Sequence, residues 1–561
     1  MRMIRTALAT LATALTASCA TTGADRPASP SIHVDVPVIA RPGGETPEWW
    51  YRAGAAQAAR NGAMSGRAKN VILFVGDGMS VATVTAARIL AGQRAGASGE
   101  EHRLAWEHFP ATALSKTYNT DAQTPDSAGT MTAMATGVKT RAGVLGVGQA
   151  GKRGDCVESL KTPLLSLWQL AADAGLSTGV VTTTRVTHAT PAATFSHSPE
   201  RNWENDTQVT DIDRDAGCID IARQLVESPH GAGPDVLLGG GRGHFMTVQQ
   251  TDPEYADKVG QRLDGRDLVA TWKQRHPTGT YVWNAREFAA APAGPLLGLF
   301  EPDHMQYEHD RPRDRAGEPS LAEMTRAAIA RLSGDGDGYV LLVEGGRIDH
   351  AHHLGNAHRA LTDTIAMSDA VQAAIESASS DTLVLVTADH AHTLSFAGYP
   401  ARGNPIMGKV RGGASESIDS GTLALDATGL PYTTLSYANG PGYVGATAQQ
   451  PEGPKTYEHV ASGYEAARNG RPDLTDVDTA HPDYLQEATV PTSAETHGGD
   501  DVGIWATGPG SDAVRGSLEQ NVIHHLLLQA TPALRTAACA RTRCDANGVP
   551  VERVLPGAPR R

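Results

Sequence analysis

The chain has 561 residues, of which 40% are hydrophobic and 20% charged, a composition that fits a folded globular protein and excludes a mainly disordered or membrane-embedded one. This length exceeds what a single core usually carries, so we expect one large domain with sizeable insertions, or two domains. The formal net charge of −14 argues against nucleic acid or an anionic membrane surface as the main partner.

Residues 1–24 are typical of an export signal. Two arginines precede a short apolar run from Thr6 to Ala17, and small residues without a charge follow before Asp25. We therefore expect an exported protein, periplasmic or secreted. The residues before Cys19 loosely resemble a lipoprotein cleavage box, so two outcomes stay open: simple cleavage, or a lipid on Cys19 that anchors the protein to a membrane.

Four cysteines remain beyond Cys19, and an even number in an exported protein suggests disulfides. Cys539 and Cys544 are near enough in sequence to close a small C-terminal loop, which leaves Cys156 with Cys218. The alternative is that these cysteines are free buried thiols.

Residues 25–65 are predicted to form an N-terminal arm, in which PEWWYRAGAAQAAR fits an amphipathic helix. Five apolar runs then predict buried strands: VILFVGDG (71–78), TGVVTTT (178–184), DVLLGGG (235–241), YVLLVEGG (339–346) and TLVLVTADH (382–390). Continuous apolar runs are typical of parallel strands that are covered on both faces.

Helical patterns alternate with these strands. One of them begins with the capping box Ser320-Leu321-Ala322-Glu323. The alternation predicts the α/β class, as a three-layer α/β/α sandwich with a large, mostly parallel central sheet. Residues 398–490 break the pattern: they are rich in Gly, Pro, Ser, Thr and Tyr, which predicts an inserted subdomain on top of the sheet. Residues 66–397 and 491–561 would then form the core.

The stretch PDSAGTMTA at 125–133 leaves two interpretations of Ser127 open. Ser and Asp ahead of a helical run are common N-caps, since their side-chain oxygens accept from the free amides of the first turn. Ser127 could instead be a nucleophile, although the Gly-x-Ser-x-Gly motif of many serine hydrolases is absent here. The stretch alone does not decide between them.

Carboxylates and imidazoles follow several of the predicted strands. Asp77 comes directly after the first, Glu344 ends another, and Asp389-His390 ends a third. Asp349 and His353 are four residues apart, which places them on one face of a helix. Mixed carboxylate and imidazole ligands suit zinc, and oxygen ligands alone suit magnesium. Taken alone, each segment fits polar residues at the protein surface or a helix cap equally well, but their joint occurrence at strand ends favours a metal site.

Taken in order, these segments resemble the alkaline phosphatase family. The matching segments are FVGDGM with Asp77, PDSAGTMTAMATG with Ser127, THATPAA with Thr190, EGGRIDHAHH, TADHAH, and ETHGG at 495–499. The resemblance runs from about residue 45 to the C-terminus. VVTTTRVTHATPAATFSHSPERNW and LLGLFEPDHMQYE are similar to the animal-type branch in particular. The resemblance implies a crown-like subdomain at 398–490, a metal-binding insertion around 235–320 and a homodimer, with the interface near Trp49, Trp50 and the insertion.

The resemblance also implies a role for individual residues. It assigns one zinc ion to Asp349, His353 and His497, a second to Asp77, Asp389 and His390, and a magnesium ion to Asp77, Thr190 and Glu344. It assigns phosphate binding to Arg201, a place beside the magnesium ion to His188, and the orientation of ligands to His350 and His392. Cys156 with Cys218 and Cys539 with Cys544 match the family's two disulfides.

A further site, for calcium, would map onto Glu254, the Phe300 carbonyl, Glu301 and Glu318. Here the sequence departs from the family pattern, because Glu318 stands where Asp is usual.

The resemblance implies a metal-dependent phosphomonoesterase that acts on small-molecule phosphate monoesters through a phosphoseryl intermediate on Ser127. Two alternatives are a phosphodiesterase or sulfatase of the same superfamily and a metal-stabilised phosphate-binding protein without catalysis. The PDSAG context together with Arg201 argues against the first, and the complete set of matching ligands argues against the second.

Overall fold

The architecture comes from a computed structural model, which describes residues 31–227, 233–334, 336–412 and 421–556. The described residues cluster as one unit that begins at Ser31. The predicted export signal, residues 1–24, and Cys19 lie outside the described residues. Within the described residues, we find no helix with the length and apolar character needed to cross a bilayer.

The described strands and helices are as follows. The strands are β1 (Asn70–Gly76), β2 (Ala111–Lys116), β3 (Ser177–Arg185), β4 (Val236–Gly240), β5 (Thr280–Val282), β6 (Leu296–Leu299), β7 (Tyr339–Gly345), β8 (Thr382–Ala388), β9 (Ala391–His392), β10 (Leu394–Phe396), β11 (Leu435–Gly440), β12 (Lys455–Thr456), β13 (Tyr484–Leu485), β14 (Ala488–Pro491), β15 (His497–Gly498), β16 (Val502–Thr507) and β17 (Gly516–Glu519). The helices are α1 (Pro47–Arg60), α2 (Val81–Arg94), α3 (Ser127–Thr136), α4 (Cys156–Ser159), α5 (Leu167–Ala174), α6 (Ala189–Ala192), α7 (Asp211–Asp215), α8 (Ile221–Val226), α9 (Leu268–Arg275), α10 (Ala285–Ala290), α11 (Leu321–Leu332), α12 (Arg347–His353), α13 (Ala357–Ser377), α14 (Val522–Ala530) and α15 (Pro532–Cys539).

A ten-stranded sheet forms the centre of the fold, in the order β17-β2-β16-β8-β1-β7-β3-β4-β6-β5. Strand β16 pairs antiparallel with both β2 and β8, and the other neighbours in the sheet pair in parallel. The five apolar runs form β1, β3, β4, β7 and β8. The prediction of a large, mostly parallel sheet is therefore confirmed.

Alternate residues of the central strands enter two separate cores. Val71, Leu73 and Val75 of β1 pack in a cluster that also holds side chains of α3, α5 and α14. Ile72 and Phe74 pack on the opposite face with side chains of α2, α11 and α13. All five are fully buried, and burial of such a side chain stabilises a fold by about 1.5–3 kcal/mol. Helices therefore cover both faces, which makes the three layers.

Helix α1 lies within the predicted N-terminal arm and packs on the core. Trp50 and Tyr51 belong to the same hydrophobic cluster as Ile523 of α14, and the Tyr51 ring lies 4.5 Å from the ring of His525. Trp50 is 2% exposed within one copy of the chain. Its ring is therefore used inside the chain, and it is a poor candidate for the subunit contact expected near this position.

The range 398–490 carries small sheets separate from the central one. β10, β11 and β14 form a three-stranded sheet, and β12 pairs with β13. The Tyr437 hydroxyl of β11 hydrogen-bonds His352 Nδ1 of α12 at 2.7 Å, so this segment contacts the helix that carries Asp349 and His353. In the range 235–320, β4, β5 and β6 join the central sheet. The division of the chain into core, insertion and crown-like subdomain stays a prediction.

The structure contains two disulfides, Cys156–Cys218 and Cys539–Cys544. The first closes a long loop, since its cysteines are 62 positions apart, and it packs against Trp203 and Val209. The second closes the short C-terminal loop.

Candidate active site

The ends of three neighbouring strands bring the first acidic side chains together. β1 lies between β7 and β8, and the pairing aligns Val75 with Glu344 and Gly76 with Ala388. Asp77 directly follows the end of β1, and Asp389 directly follows the end of β8. Both are fully buried, as is Glu344. In a parallel sheet, ligands usually bind beyond the carboxyl ends of the strands. The three acids meet at this edge of the sheet, at the carboxyl ends of β1, β7 and β8.

Ser127 is the first residue of α3, and the residue that caps this helix is Asp126. The Asp126 side chain accepts from Gly129 N at 3.1 Å, which corrects the interpretation of Ser127 as the cap. Ser127 is 1% exposed, and its Oγ lies 3.3 Å from Asp77 Oδ1 and 3.1 Å from His390 Nε2. The serine hydroxyl therefore points into the acidic edge.

Asp77, Asp389 and His390 form a group whose ligand atoms lie within 4.8 Å of one another. His390 Nδ1 contacts the Ala391 carbonyl, which only accepts, so Nε2 carries the lone pair. That Nε2 lies 3.4 Å from Asp77 Oδ1 and 3.3 Å from Asp389 Oδ2. Three acceptor atoms thus converge on one point, an arrangement that a cation would stabilise.

A second group contains Asp349, His353, His392 and His497. His353 Nδ1 donates to the Glu495 carbonyl at 2.5 Å, and His497 Nδ1 donates to the Pro125 carbonyl at 2.7 Å. Both Nε2 atoms therefore present lone pairs. They lie 3.1 Å from each other and 3.4 Å from Asp349 Oδ1, which again leaves facing acceptors without a donor between them.

A third group joins Asp77 to His188 and Glu344. Thr190 of α6 is fully buried and interacts with Glu344. Glu344 Oε2 accepts from the hydroxyls of Thr182 and Thr184. Among the described residues, Asp77 Oδ2 is buried without a hydrogen-bond partner. This oxygen-rich group shares Asp77 with the first group, as the predicted magnesium site does.

The buried carboxylates at this edge repel one another. Burial, and then the carboxylates of Asp389 and Asp349, raise the pKa of Asp77 well above its usual range. Burial also raises the pKa of Glu344 to about 7. Burial opposes ionisation of Asp349 too, but His353 and then His392 hold its pKa well below the usual range. The protein alone does not balance these charges, so the residues fit bound cations.

Arg201 lies at the rim of the same edge. One of its terminal nitrogens donates to Asp126 Oδ2 at 3.1 Å and the other to His188 Nε2 at 2.9 Å. Its side chain is 17% exposed, so an anion can approach it. Asp126 thus caps the helix of Ser127 and holds Arg201, a double role that sequence reasoning missed.

The two histidines expected to orient ligands differ. His392 Nε2 lies 2.7 Å from Asp349 Oδ1, and its Nδ1 hydrogen-bonds the Glu495 carboxylate. Burial alone would lower the pKa of His392, but Glu495 and Asp349 raise it to about 10. His350 turns to another partner, because its Nδ1 accepts from Arg347 at 3.1 Å.

An acidic cluster lies apart from these groups. Ligand oxygens of Glu254, Glu301 and Asp314 lie within 4.8 Å of one another. The Phe300 carbonyl, expected as a ligand, accepts from Arg242 at 2.6 Å. Burial raises the pKa of Glu301 to about 7.

Asp314 was not expected in this cluster, where the sequence suggested Glu318. Glu318 Oε1 accepts from the Gln306 amide at 2.9 Å, and its Oε2 is buried without a partner among the described residues. Both carboxylate oxygens of Asp314 are likewise buried without a partner there. Asp314 lies in the charged loop HDRPRDRAGEP, where several acids are equivalent by pattern, so no sequence signal distinguished it.

Comparison with known proteins identifies relatives along most of the chain. The alkaline phosphatase family model matches residues 68–533. The tissue-nonspecific alkaline phosphatase of Rattus norvegicus is 43% identical over 474 residues, which cover 83% of this chain and 84% of the rat protein. The human isozyme is also 43% identical, over 473 residues that cover 82% of this chain and 83% of the human protein.

Solved structures of alkaline phosphatases share the fold. The Thermus thermophilus enzyme aligns with a TM-score of 0.57 at 26% identity, covering 83% of this chain and 92% of that one. The enzyme of the Antarctic bacterium TAB5 aligns with a TM-score of 0.53 at 22% identity, covering 83% and 98%.

Proposed function

The chain belongs to the alkaline phosphatase family, and on that premise we propose that it hydrolyses phosphate monoesters through Ser127 with two zinc ions and one magnesium ion. The observation that carries the proposal is the position of Ser127. Its Oγ lies 3.3 Å from Asp77 Oδ1 and 3.1 Å from His390 Nε2, two members of a group that could hold a metal ion. Arg201 hydrogen-bonds Asp126, the residue before Ser127.

The donor sets fit the proposed ions. Lone pairs of His353 and His497 converge with Asp349, and the lone pair of His390 converges with Asp77 and Asp389, a mixed nitrogen and oxygen chemistry that suits zinc. Asp77, Glu344 and Thr190, with His188 beside them, offer the mainly oxygen ligands that suit magnesium.

A serine hydroxyl at its ordinary pKa is a poor nucleophile. Zinc ions in these sites would lower the pKa of the hydroxyl and neutralise charge that develops on the leaving oxygen. Ser127 Oγ would form a bond to phosphorus while the bond from phosphorus to the alcohol oxygen breaks. Water would then cleave the phosphoseryl bond, which releases inorganic phosphate and restores Ser127.

The other residues of the site position the phosphoryl group. The two terminal nitrogens of Arg201 can bind two non-bridging oxygens together, with a planar geometry that lysine lacks. The N-terminus of α3 adds backbone amides and the positive end of the helix dipole. Positioning and charge neutralisation are what phosphoryl transfer mainly requires.

The proposal extends to features outside the site. We propose that calcium binds the acidic cluster through Glu254, Glu301 and Asp314, with Glu318 beside them, because these acids are gathered there. We also propose that the protein is exported, with Cys19 either removed with the signal or lipidated, and that it forms a homodimer.

Metal analysis of purified protein, combined with rates on a phosphomonoester, a phosphodiester and a sulfate ester, tests the proposal. We expect about two zinc ions and one magnesium ion per chain and the highest rate on the monoester. Chelation should abolish the activity, and zinc with magnesium should restore it. Full activity after complete metal removal, or a faster rate on the diester or the sulfate ester, would contradict the proposal.

A further inference from the structure

We propose that Glu495 is a positioning residue that fixes Asp349 and His353 as ligands of one zinc ion. The inference rests on the proposed function, because it concerns a metal site of that function. Glu495 is 1% exposed, and it lies two residues before His497. Glu495 would thereby connect the three protein ligands of this site, Asp349, His353 and His497.

The Glu495 carboxylate is fully engaged. Its Oε2 hydrogen-bonds His392 Nδ1, and its Oε1 accepts from the Thr393 amide at 2.7 Å and from the Thr393 hydroxyl at 2.5 Å. The carboxylate is therefore locked in one orientation, with one oxygen assigned to His392.

His392 carries this orientation to the metal ligand. Its Nε2 lies 2.7 Å from Asp349 Oδ1, which is the oxygen 3.4 Å from both His353 Nε2 and His497 Nε2. Both ring nitrogens of His392 thus face carboxylates. Although His392 belongs to the four-residue group, it has no nitrogen left for a metal, and Asp349, His353 and His497 remain as ligands.

The ring of His392 also lies directly over the backbone of Gly78. Gly78 follows Asp77 in a backbone conformation with φ +68°, and a Cβ built there would lie 2.3 Å from His392 Cδ2. A side chain at this position would push the ring out of its place between Glu495 and Asp349, so glycine is required here. The contact links Glu495 to the turn that presents Asp77.

The main chain of Glu495 holds the second ligand. Its carbonyl accepts from His353 Nδ1 at 2.5 Å, and its amide donates to the His353 carbonyl at 2.9 Å. The first contact fixes the tautomer of His353, so that Nε2 presents its lone pair. The side chain thus acts on Asp349 and the main chain on His353, and a substitution at 495 changes only the first contact.

Zinc affinity measured by chelator competition tests the inference in the full-length chain. Glu495→Gln should weaken binding of one zinc ion by about 10- to 100-fold, the usual effect of losing an outer hydrogen-bond partner of a ligand, and leave the other zinc ion unchanged. Glu487→Gln is the matched control, since Glu487 pairs with Arg471 in another part of the chain. The metal-free Glu495→Gln protein loses a buried pair with His392 and should melt below the wild type, so zinc affinity is compared at a temperature where both proteins are folded.

Equal zinc affinity in Glu495→Gln and wild type would overturn the inference, as would equal weakening of both zinc ions. If Glu495→Gln does not fold, Glu495→Asp provides the same test, because its shorter side chain cannot reach His392 and Thr393 together. Absence of zinc binding by the wild type would instead contradict the proposed function, so the two failures are distinguishable.

Discussion

The active centre and the acidic cluster both gather buried carboxylates, but they balance the charge differently. In the cluster, the fully buried Arg242 donates to Asp252, Glu254 and the Phe300 carbonyl, so the protein supplies its own cation. In the active centre, Arg201 lies at the rim and pairs with Asp126. The proposed metal ions would supply the missing positive charge in the active centre, whereas Arg242 already supplies part of it in the cluster. The comparison predicts that changes in the active centre affect turnover most and that changes in the cluster affect stability most.

Loss of the nucleophile should have the largest effect. Ser127→Ala removes the oxygen that would bond to phosphorus, and we expect turnover of a phosphomonoester to fall on the order of 10⁴-fold or more. Glu301→Gln in the acidic cluster should lose far less. Phosphate release from both variants at equal metal content checks this. Similar losses of turnover in the two variants would contradict the distinction between the active centre and the acidic cluster.

The second-largest effect is expected from matched arginine substitutions, which should lower kcat/KM in one region and the free energy of unfolding in the other. Arg201→Lys loses the planar contact with phosphate, so kcat/KM should fall by about 10- to 100-fold, as for the loss of a charged hydrogen bond worth about 1.5–3 kcal/mol. Arg242→Lys breaks buried pairs and should lower the free energy of unfolding by about 3 kcal/mol. Kinetics and urea denaturation of each variant would measure both quantities. A stability loss in Arg201→Lys equal to that in Arg242→Lys would contradict the assignment.

Calcium should act on stability and not on turnover. A ligand at 100 times its Kd stabilises a protein by about 2.7 kcal/mol, so calcium should raise the melting temperature of the wild type. Asp314→Asn should abolish that rise and keep kcat on a phosphomonoester near the wild-type value. A rise that persists in Asp314→Asn would place calcium elsewhere.

The smallest effect, taken per pH unit, should be the pH dependence of magnesium binding. The pKa of Glu344 is raised to about 7, above its unfolded value of about 4.3, so the metal-free protein loses stability as pH rises between these values, by up to about 1.4 kcal/mol per unit. Magnesium needs the ionised carboxylate, so its stabilising effect should grow as pH rises through about 7. Melting curves with and without magnesium would be recorded in Glu301→Gln, because the pKa of Glu301 is also raised to about 7. A magnesium effect independent of pH would remove Glu344 from the site.

The sequence predicts the central strands well, because β1, β7 and β8 are continuous apolar runs that are buried along their whole length. It does not predict β2 or β16. β2 alternates buried and exposed residues, and β16 is a short run that contains glycine and lies beside it. Such strands are defined by their pairing partners, which lie far away in the chain.

The residues of the active centre also divide into those that local sequence patterns predict and those that they do not. Asp349 and His353 follow from helical spacing, and Asp77 and Asp389 follow from strand ends. His497 reaches them through pairing of β15 with β9, where it lies opposite His392, and only the family resemblance predicted it. That resemblance is confirmed by the family match, whereas the role of each residue stays a prediction. Asp314 contacts a cluster whose other members are distant in sequence, and composition carries no such information.

The disulfide Cys156–Cys218 encloses the segment that holds His188, Thr190 and Arg201. Closing a loop of this length removes conformational freedom from the unfolded chain, by about 4 kcal/mol in the chain-entropy estimate. Thiol oxidation is thus coupled to the part of the site that would hold the phosphoryl group. A chain that folds where thiols stay reduced would keep the sheet-edge carboxylates but have a lower free energy of unfolding, so the redox state of the compartment sets part of the stability of the segment that carries Arg201.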